Sequence, residues 1–126
     1  MTKVGIIRCE KNEYRCPLTN CFRCMMETKE GFQIYEAVMP VGVFTCRCPG
    51  DSIVELAKIL KGKGAEVIHF CTCTFAKKED KGWSMEKGGF CEHIDELIEN
   101  VHKKVAISCV KGTAHLPKNY VLQQLM

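Results

Sequence analysis

Short runs of apolar residues alternate with helically spaced apolar positions along this chain. Runs bounded by polar turns predict buried strands at Lys3–Arg8, Tyr35–Cys46, Glu66–Phe70 and Val105–Cys109. Helical spacing between the runs predicts helices at Cys21–Lys29, after Ser52, and at Cys91–Lys103. Strands that alternate with helices are typical of a parallel sheet with helices on its faces. The pattern therefore predicts one α/β domain over residues 1–126, a three-layer αβα arrangement of flavodoxin- or Rossmann-like type around roughly four parallel strands.

Local signals refine this order. The second helix is predicted to begin at Ser52, where Glu55 would complete a capping box. The second strand should be interrupted near Pro40 or lie at an edge of the sheet, because proline cannot donate to a ladder. Thr74–Gly89 is charged and contains glycine, which predicts a loop able to cover a site. The tail Leu116–Met126 is predicted to hold a short final helix.

Cysteine follows every predicted strand. The thiols placed in this way are Cys9, Cys46, Cys48, Cys71, Cys73 and Cys109. The carboxyl ends of parallel strands meet at one edge of a sheet, and ligands bind there. The remaining thiols lie in or after the first loop or at the start of the third helix, namely Cys16, Cys21, Cys24 and Cys91. We therefore expect all ten cysteines at one end of the molecule.

Composition narrows the class of function. The chain is 26% charged and 46% hydrophobic, as globular domains are, and its net charge of +3 is not concentrated into a basic patch for nucleic acid. No apolar run approaches the ~20 residues of a membrane span, and no export signal is visible. We therefore expect a cytoplasmic protein. In that reducing compartment ten cysteines indicate metal ligation or redox chemistry rather than disulfides.

Thiolates select zinc, copper(I) and iron–sulfur clusters among biological metals. The pairs Cys46–Cys48 and Cys71–Cys73 can each direct two thiolates at one centre. The number of thiols exceeds the four ligands of one zinc ion, which favours an iron–sulfur cluster, with zinc next. His93 and His115 are candidate ligands or proton carriers at the same edge, whereas His69 is predicted to be a core residue. A redox centre of this kind would work with a protein redox partner.

Six segments carry a family resemblance: Val4–Cys9, Cys16–Phe22, Val41–Gly50, Gly64–Glu66, Cys91–His93 and Lys111–His115. In these segments the chain resembles the CGGC domain family, whose members are small, cysteine-rich, prokaryotic and regarded as metal-binding. The family's namesake motif is Cys-Gly-Gly-Cys, where this chain has Cys46-Arg47-Cys48. The resemblance implies a metal site at Cys9, Cys16, Cys21, Cys46, Cys48, Cys73, Cys91 and His93.

Two enzyme hypotheses stay open beside the metal site. Cys9 and Arg15 have the Cys-x5-Arg spacing of low-molecular-weight phosphatases and arsenate reductases, in which the thiolate attacks and the arginine holds an oxyanion. The two glutamates within that loop would oppose a bound phosphate. Cys21 and Cys24 have the Cys-x-x-Cys spacing of thiol–disulfide oxidoreductases and lie at a predicted helix start.

Overall fold

A computed structural model describes all 126 residues of the chain. The strands are β1 (Thr2–Cys9), β2 (Val38–Cys46), β3 (Val67–Phe70), β4 (Lys77–Glu79), β5 (Gly82–Ser84), β6 (Ser108–Lys111) and β7 (Gln123–Leu125). The helices are α1 (Thr19–Glu27), α2 (Ile53–Gly62) and α3 (Ile94–Val101), and a π-helical turn over His102–Ala106 continues α3.

The main sheet has the order β2-β1-β3-β6-β7. Its first four strands are parallel, and β7 pairs antiparallel with β6. The predicted α/β class is therefore confirmed, with one antiparallel edge strand beyond the four parallel strands. The register between β1 and β2 slips beside Pro40, and β2 is an edge strand, as the proline predicted. None of the helices has the length and apolar character needed to cross a membrane.

Alternating side chains of the strands fill two separate apolar clusters. Val4 and Ile6 of β1 pack in the cluster that contains Met25 of α1, whereas Ile7 packs in the cluster that contains Leu97 of α3. Successive residues of a strand point to opposite faces of the sheet, so the two clusters lie on its two faces. This arrangement gives the predicted three layers, with α1 on one face and α2 and α3 on the other.

The start of α2 differs from the predicted capping box. Ser52 is the N-cap residue, but its backbone has φ −92° and ψ −2°, which is helical, and its side chain makes no capping hydrogen bond. A capping side chain works from an extended N-cap backbone. Glu55 instead pairs with Lys58 at 3.4 Å on the exposed side of the helix.

Two predicted elements have a different secondary structure. The segment predicted as a loop over Thr74–Gly89 contains the antiparallel hairpin β4–β5. The tail forms β7 rather than a short helix, because the outer edge of β6 offers backbone hydrogen-bonding groups that three residues of the tail can satisfy.

The last parallel strand begins later than predicted, and this moves Cys109. The π-helical turn occupies His102–Ala106, so β6 begins only at Ser108. Cys109 is then the second residue of β6 and pairs in register with Ile68, two residues before the end of β3. The expectation that all ten cysteines lie at one end is wrong for Cys109, which is buried in the core.

Candidate metal centre

A cavity of about 260 Å³ opens at the carboxyl ends of β1 and β2. The chain passes from β1 to β2 on one side of β1, while β3 lies on the other side, so the strand order reverses here. Parallel sheets bind ligands at such a switch point. The first turns of α2 and α3 contribute Ile53 and Ile94 to its wall. The ligand-type side chains that line it are Cys9, Cys46, Cys48, Cys91, Glu92 and His93.

The ends of β1 and β2 set the two thiols at the floor of the cavity. Cys9 is the last residue of β1, Cys46 is the last residue of β2, and the two are direct partners in the parallel register. Cys9 is 4% exposed, Cys46 is half-buried and Cys48 is exposed. The thiols at the ends of these two neighbouring strands therefore range from buried to exposed.

Side-chain contacts fasten the loop that carries Cys48. Arg47, which stands in place of the family's glycines, donates two hydrogen bonds to Glu13, at 2.9 Å and 3.3 Å. The backbone N–H of Cys48 donates to the carboxylate of Glu10. Gly50 has φ +96°, and a Cβ atom there would lie 2.9 Å from Leu97 Cδ2. The loop is thus held against both the first loop and α3.

The backbone of the turn after β3 positions Cys91. Phe90 N–H donates to the Cys73 carbonyl at 2.9 Å, and Cys91 N–H donates to the Thr74 carbonyl at 3.0 Å. Gly89 permits this approach, because a Cβ atom there would clash with the Cys73 carbonyl oxygen. The segment that brings the fourth thiol therefore depends on a glycine outside the cavity.

Burial dominates the electrostatics of the cavity thiols. It raises the pKa values of Cys9 and Cys91, and, with a smaller contribution from neighbouring thiolates, raises the pKa of Cys46 to about 11. Arg8 and Lys11 also line the cavity and bring positive charge. A bound metal would therefore displace protons from these sulfurs, as thiolate ligation requires.

The donor set fits a soft metal, although its side chains do not converge. No group of three or more Cys, His, Asp or Glu side chains meets closely enough to hold an ion as placed. Four thiols and one imidazole nevertheless line one cavity, and thiolates with histidine are the ligands of zinc and iron–sulfur centres.

A second group of thiols, here called the α1 cluster, consists of Cys21, Cys71 and Cys73. These residues belong to the apolar cluster beneath α1, on the face of the sheet opposite α2 and α3. Interaction with the Cys71 thiol is the main influence on the pKa values of Cys21 and Cys73. Cys21 Sγ also lies 3.1 Å from the hydroxyl of Thr113. These interactions lower the pKa of Cys21 to about 7, and that of Cys73 is lowered too, while the pKa of Cys71 is raised.

The structure divides the eight predicted ligands. Five of them line the cavity, namely Cys9, Cys46, Cys48, Cys91 and His93. Cys21 and Cys73 lie in the α1 cluster, and Cys16 accepts a hydrogen bond from Leu18 N–H at 3.3 Å.

The sequence missed Cys71 as a partner of Cys21, because their contact depends on how α1 docks on the sheet. The only signal available was the close spacing of Cys71 and Cys73.

The other candidates lie away from the cavity. Arg15 is exposed and does not line it, so Cys9 and Arg15 form no oxyanion loop. His115 stacks on Trp83 with ring centroids 4.9 Å apart and hydrogen-bonds to Asn20 at 3.0 Å. His69 is fully buried, as predicted for a core residue.

A parallel α/β sheet with a cysteine-lined cavity at its switch point places the chain among cysteine-rich α/β proteins. The model of the CGGC domain family matches residues 3–114, so the chain belongs to that family, to which metal binding is ascribed. The chain is also 40% identical over 70 residues to an uncharacterized protein of Methanocaldococcus jannaschii, a match that covers 54% of this chain and 96% of that protein. No solved structure matches the chain.

Proposed function

We propose that the cavity binds a thiolate-ligated metal centre. Its ligands would be Cys9, Cys46, Cys48 and Cys91, with His93 able to replace one thiol. The observation that carries the proposal is that thiols from the ends of two strands and from the segment before α3 line one cavity. Membership of the CGGC domain family supports it.

An iron–sulfur cluster fits the surroundings better than zinc. Four cysteine thiolates give an anionic centre, and iron–sulfur clusters take cysteine almost exclusively. The N-termini of α2 and α3 lie at the cavity wall, where backbone N–H groups stabilise negative charge. Arg8 and Lys11 add two cations at the same wall. Zinc ligated by three or four of these thiolates is the second choice.

The role proposed for this centre is redox chemistry or the handling of metal or sulfur. Cys48 is exposed, so one side of the cavity is open to solvent and accessible to a small molecule or a protein redox partner. A thiolate centre of this kind would be maintained in a reducing cytoplasm.

Anaerobic purification tests the proposal directly. We expect absorbance near 400 nm, with iron and acid-labile sulfide in stoichiometric amounts. Colourless protein with stoichiometric zinc would show that the metal is zinc rather than an iron–sulfur cluster. Protein without metal whose ten cysteines all react with a thiol reagent would contradict metal binding altogether.

A matched pair of variants locates the metal. Cys91→Ser removes a thiol of the cavity, and Cys24→Ser removes a half-buried thiol of α1 that does not line it. We expect Cys91→Ser to lose metal by more than about tenfold, since even outer contacts of metal ligands are worth that much. Cys24→Ser should retain it. Equal metal content in both variants would show that the metal does not bind in the cavity.

A further inference from the structure

We propose that Cys21 and Cys71 are a redox-active dithiol, which a hydroperoxide oxidises to a disulfide. The pair lies in the α1 cluster, on the opposite face of the sheet from the cavity. It uses none of the ligands proposed for the metal, so the two sites can be tested separately.

The first support is that the fold brings Cys21 beside the backbone that follows Cys71. Cys21 comes from α1, Cys71 directly follows β3, and both belong to the apolar cluster beneath α1. Thr113 Oγ1 lies 3.1 Å from Cys21 Sγ and accepts a hydrogen bond from the N–H of Thr72, the residue after Cys71. Both are free cysteines, and Cys71 is 1% exposed. The two thiols are therefore neighbours in a packed core.

The second support is a hydroxyl group fixed beside Cys21. Thr72 N–H donates to Thr113 Oγ1 at 3.3 Å, and Thr113 N–H donates to Thr72 Oγ1 at 3.0 Å. Because Thr113 Oγ1 already accepts this backbone hydrogen bond, its own hydrogen is free to point at Cys21 Sγ, 3.1 Å away. Such a donor stabilises a thiolate at Cys21 and orients it.

The third support is the guanidinium group of Arg8. Its Nη2 donates to the carbonyls of Asn12 and Cys16, at 2.9 Å and 2.6 Å. Its Nε is buried and has no hydrogen-bond partner. Buried donors in native proteins nearly always have a partner, so an unpartnered one points to a group that binds there. The positive charge of Arg8 also favours the thiolate forms of Cys21 and Cys73.

Exposure assigns the two roles. Cys21 is 8% exposed and has the Thr113 hydroxyl 3.1 Å from its sulfur, whereas Cys71 is 1% exposed. Cys21 is therefore the attacking thiol and Cys71 the resolving thiol. Cys73 also contacts Cys71, but a bond between those two would distort the turn whose middle residue, Thr72, is fixed to Thr113.

The reaction balances with hydrogen peroxide as the oxidant. The Cys21 thiolate attacks one peroxide oxygen, the O–O bond breaks, and the departing hydroxide takes up the proton that Cys21 gave up, leaving as water. Cys21 is then a sulfenic acid. The Cys71 sulfur attacks the Cys21 sulfur, and the sulfenic oxygen leaves as a second water with the Cys71 proton. Two thiols lose two electrons, and the peroxide gains them.

Peptide mapping tests the proposal on the protein purified without oxygen. One equivalent of hydrogen peroxide is added, remaining thiols are alkylated, and trypsin is used without reductant. Cleavage after Arg15, Arg23, Lys63 and Lys77 gives peptides 16–23 and 64–77. We expect these two peptides to be linked, with the loss of two free thiols from each chain.

Single variants assign the bond, because each peptide holds two cysteines. The link should disappear in Cys21→Ser and in Cys71→Ser, and it should persist in Cys16→Ser, Cys73→Ser and the helix control Cys24→Ser. Fragmentation of the linked wild-type peptides gives the same assignment if a variant does not fold. Persistence in Cys21→Ser or Cys71→Ser would overturn the proposal. So would a wild-type Cys21 that is still alkylated after peroxide, or links between cavity cysteines instead. Metal content does not enter this readout, so its failure leaves the metal site untouched.

Discussion

The cavity and the α1 cluster contain the same reactive residue at the same edge of one sheet, yet their sulfurs have opposite properties. In the cavity, burial raises the pKa of the half-buried Cys46 to about 11. In the α1 cluster, Cys21 is more deeply buried, and its pKa is lowered to about 7. Hydrogen bonds from Cys71 and Thr113 account for the difference. At Cys21, fixed hydrogen-bond donors therefore affect the pKa more strongly than burial does.

This difference separates two kinds of chemistry. In the cavity, backbone N–H groups of Lys11 and His93 reach Cys9 and Cys91, yet burial still raises the pKa of both thiols, so a cation is the partner that compensates for their burial. The thiols of the α1 cluster instead interact with one another and with Thr113 in the packed core beneath α1. Metal ligation belongs to the first arrangement and thiol oxidation to the second.

The largest effect should come from two double variants, one that removes thiols of the cavity and one that removes thiols of the α1 cluster. Cys46→Ser with Cys91→Ser should reduce metal content by more than about tenfold and leave the peroxide-induced link intact. Cys21→Ser with Cys71→Ser should abolish the link and retain the metal. Metal analysis and peptide mapping on both double variants check this. Loss of both properties in either variant would show that the clusters act as one site.

His69 extends the comparison to a buried group with only neutral partners. Tyr35 O–H donates to its Nε2 at 2.7 Å, and its Nδ1–H donates to the Gly112 carbonyl at 2.8 Å. Burial without a neighbouring anion lowers the pKa of His69 to about 4. The unfolded chain binds a proton near pH 6.5 while the folded chain does not. Stability is therefore complete above pH 6.5 and should fall by about 3 kcal/mol as the pH drops to 4.

Denaturant unfolding across that pH range measures the effect. His69→Gln cannot titrate, so its free energy of unfolding should fall less between pH 6.5 and pH 4 than that of the wild type at equal metal content. Parallel pH profiles for the two proteins would show that His69 does not remain neutral in the folded state.

Gly89 touches the segment that the two clusters share. A methyl group there would contact the backbone around Cys73 and Ala76, and the same backbone holds Cys91. We expect Gly89→Ala to cost about 2 kcal/mol, in the range of overpacked core positions. It should also weaken metal binding and the peroxide-induced link together. Gly62→Ala is the control, because a Cβ atom at Gly62 meets nothing within 4 Å and alanine favours a helix by up to about 1 kcal/mol. Equal stability of the two variants would contradict the close contact.

Local sequence patterns predicted most of the sheet correctly. The features that were predicted wrongly depend on contacts between distant parts of the chain. The apolar stripe of α3 and the alternation along β1 depend on neighbouring residues, so the sequence was sufficient for both. The position of Cys109 depended on a π-helical turn that extends α3, and β7 depended on a free edge supplied by β6. In both cases the determining contact lies outside the segment whose structure it decides.

The candidate site divides in the same way. Cys9 and Cys46 could be predicted as neighbours, because each ends a parallel strand. The contact between Cys21 and Cys71 could not, because it requires both the docking of α1 and the turn that follows β3. The sequence therefore predicted the edge of the sheet correctly but could not assign each thiol to a face.

The smallest effect should come from Arg47, which distinguishes this chain from the Cys-Gly-Gly-Cys motif. Its side chain is 63% exposed and Glu13 is 20% exposed, so salt should screen the pair and the melting temperature should barely change in Arg47→Gln. The loop that carries Cys48 would nevertheless lose its hydrogen bonds to Glu13.

In the metal-free protein we expect Cys48 to be alkylated a few-fold faster in Arg47→Gln at low salt, and the wild type should approach that rate at high salt. Arg47→Lys keeps the charge but not the paired hydrogen bonds, so a rate between the two would assign the fastening to geometry as well as charge. Identical rates in all three proteins would mean that the order of this loop comes from Glu10 and Gly50 alone.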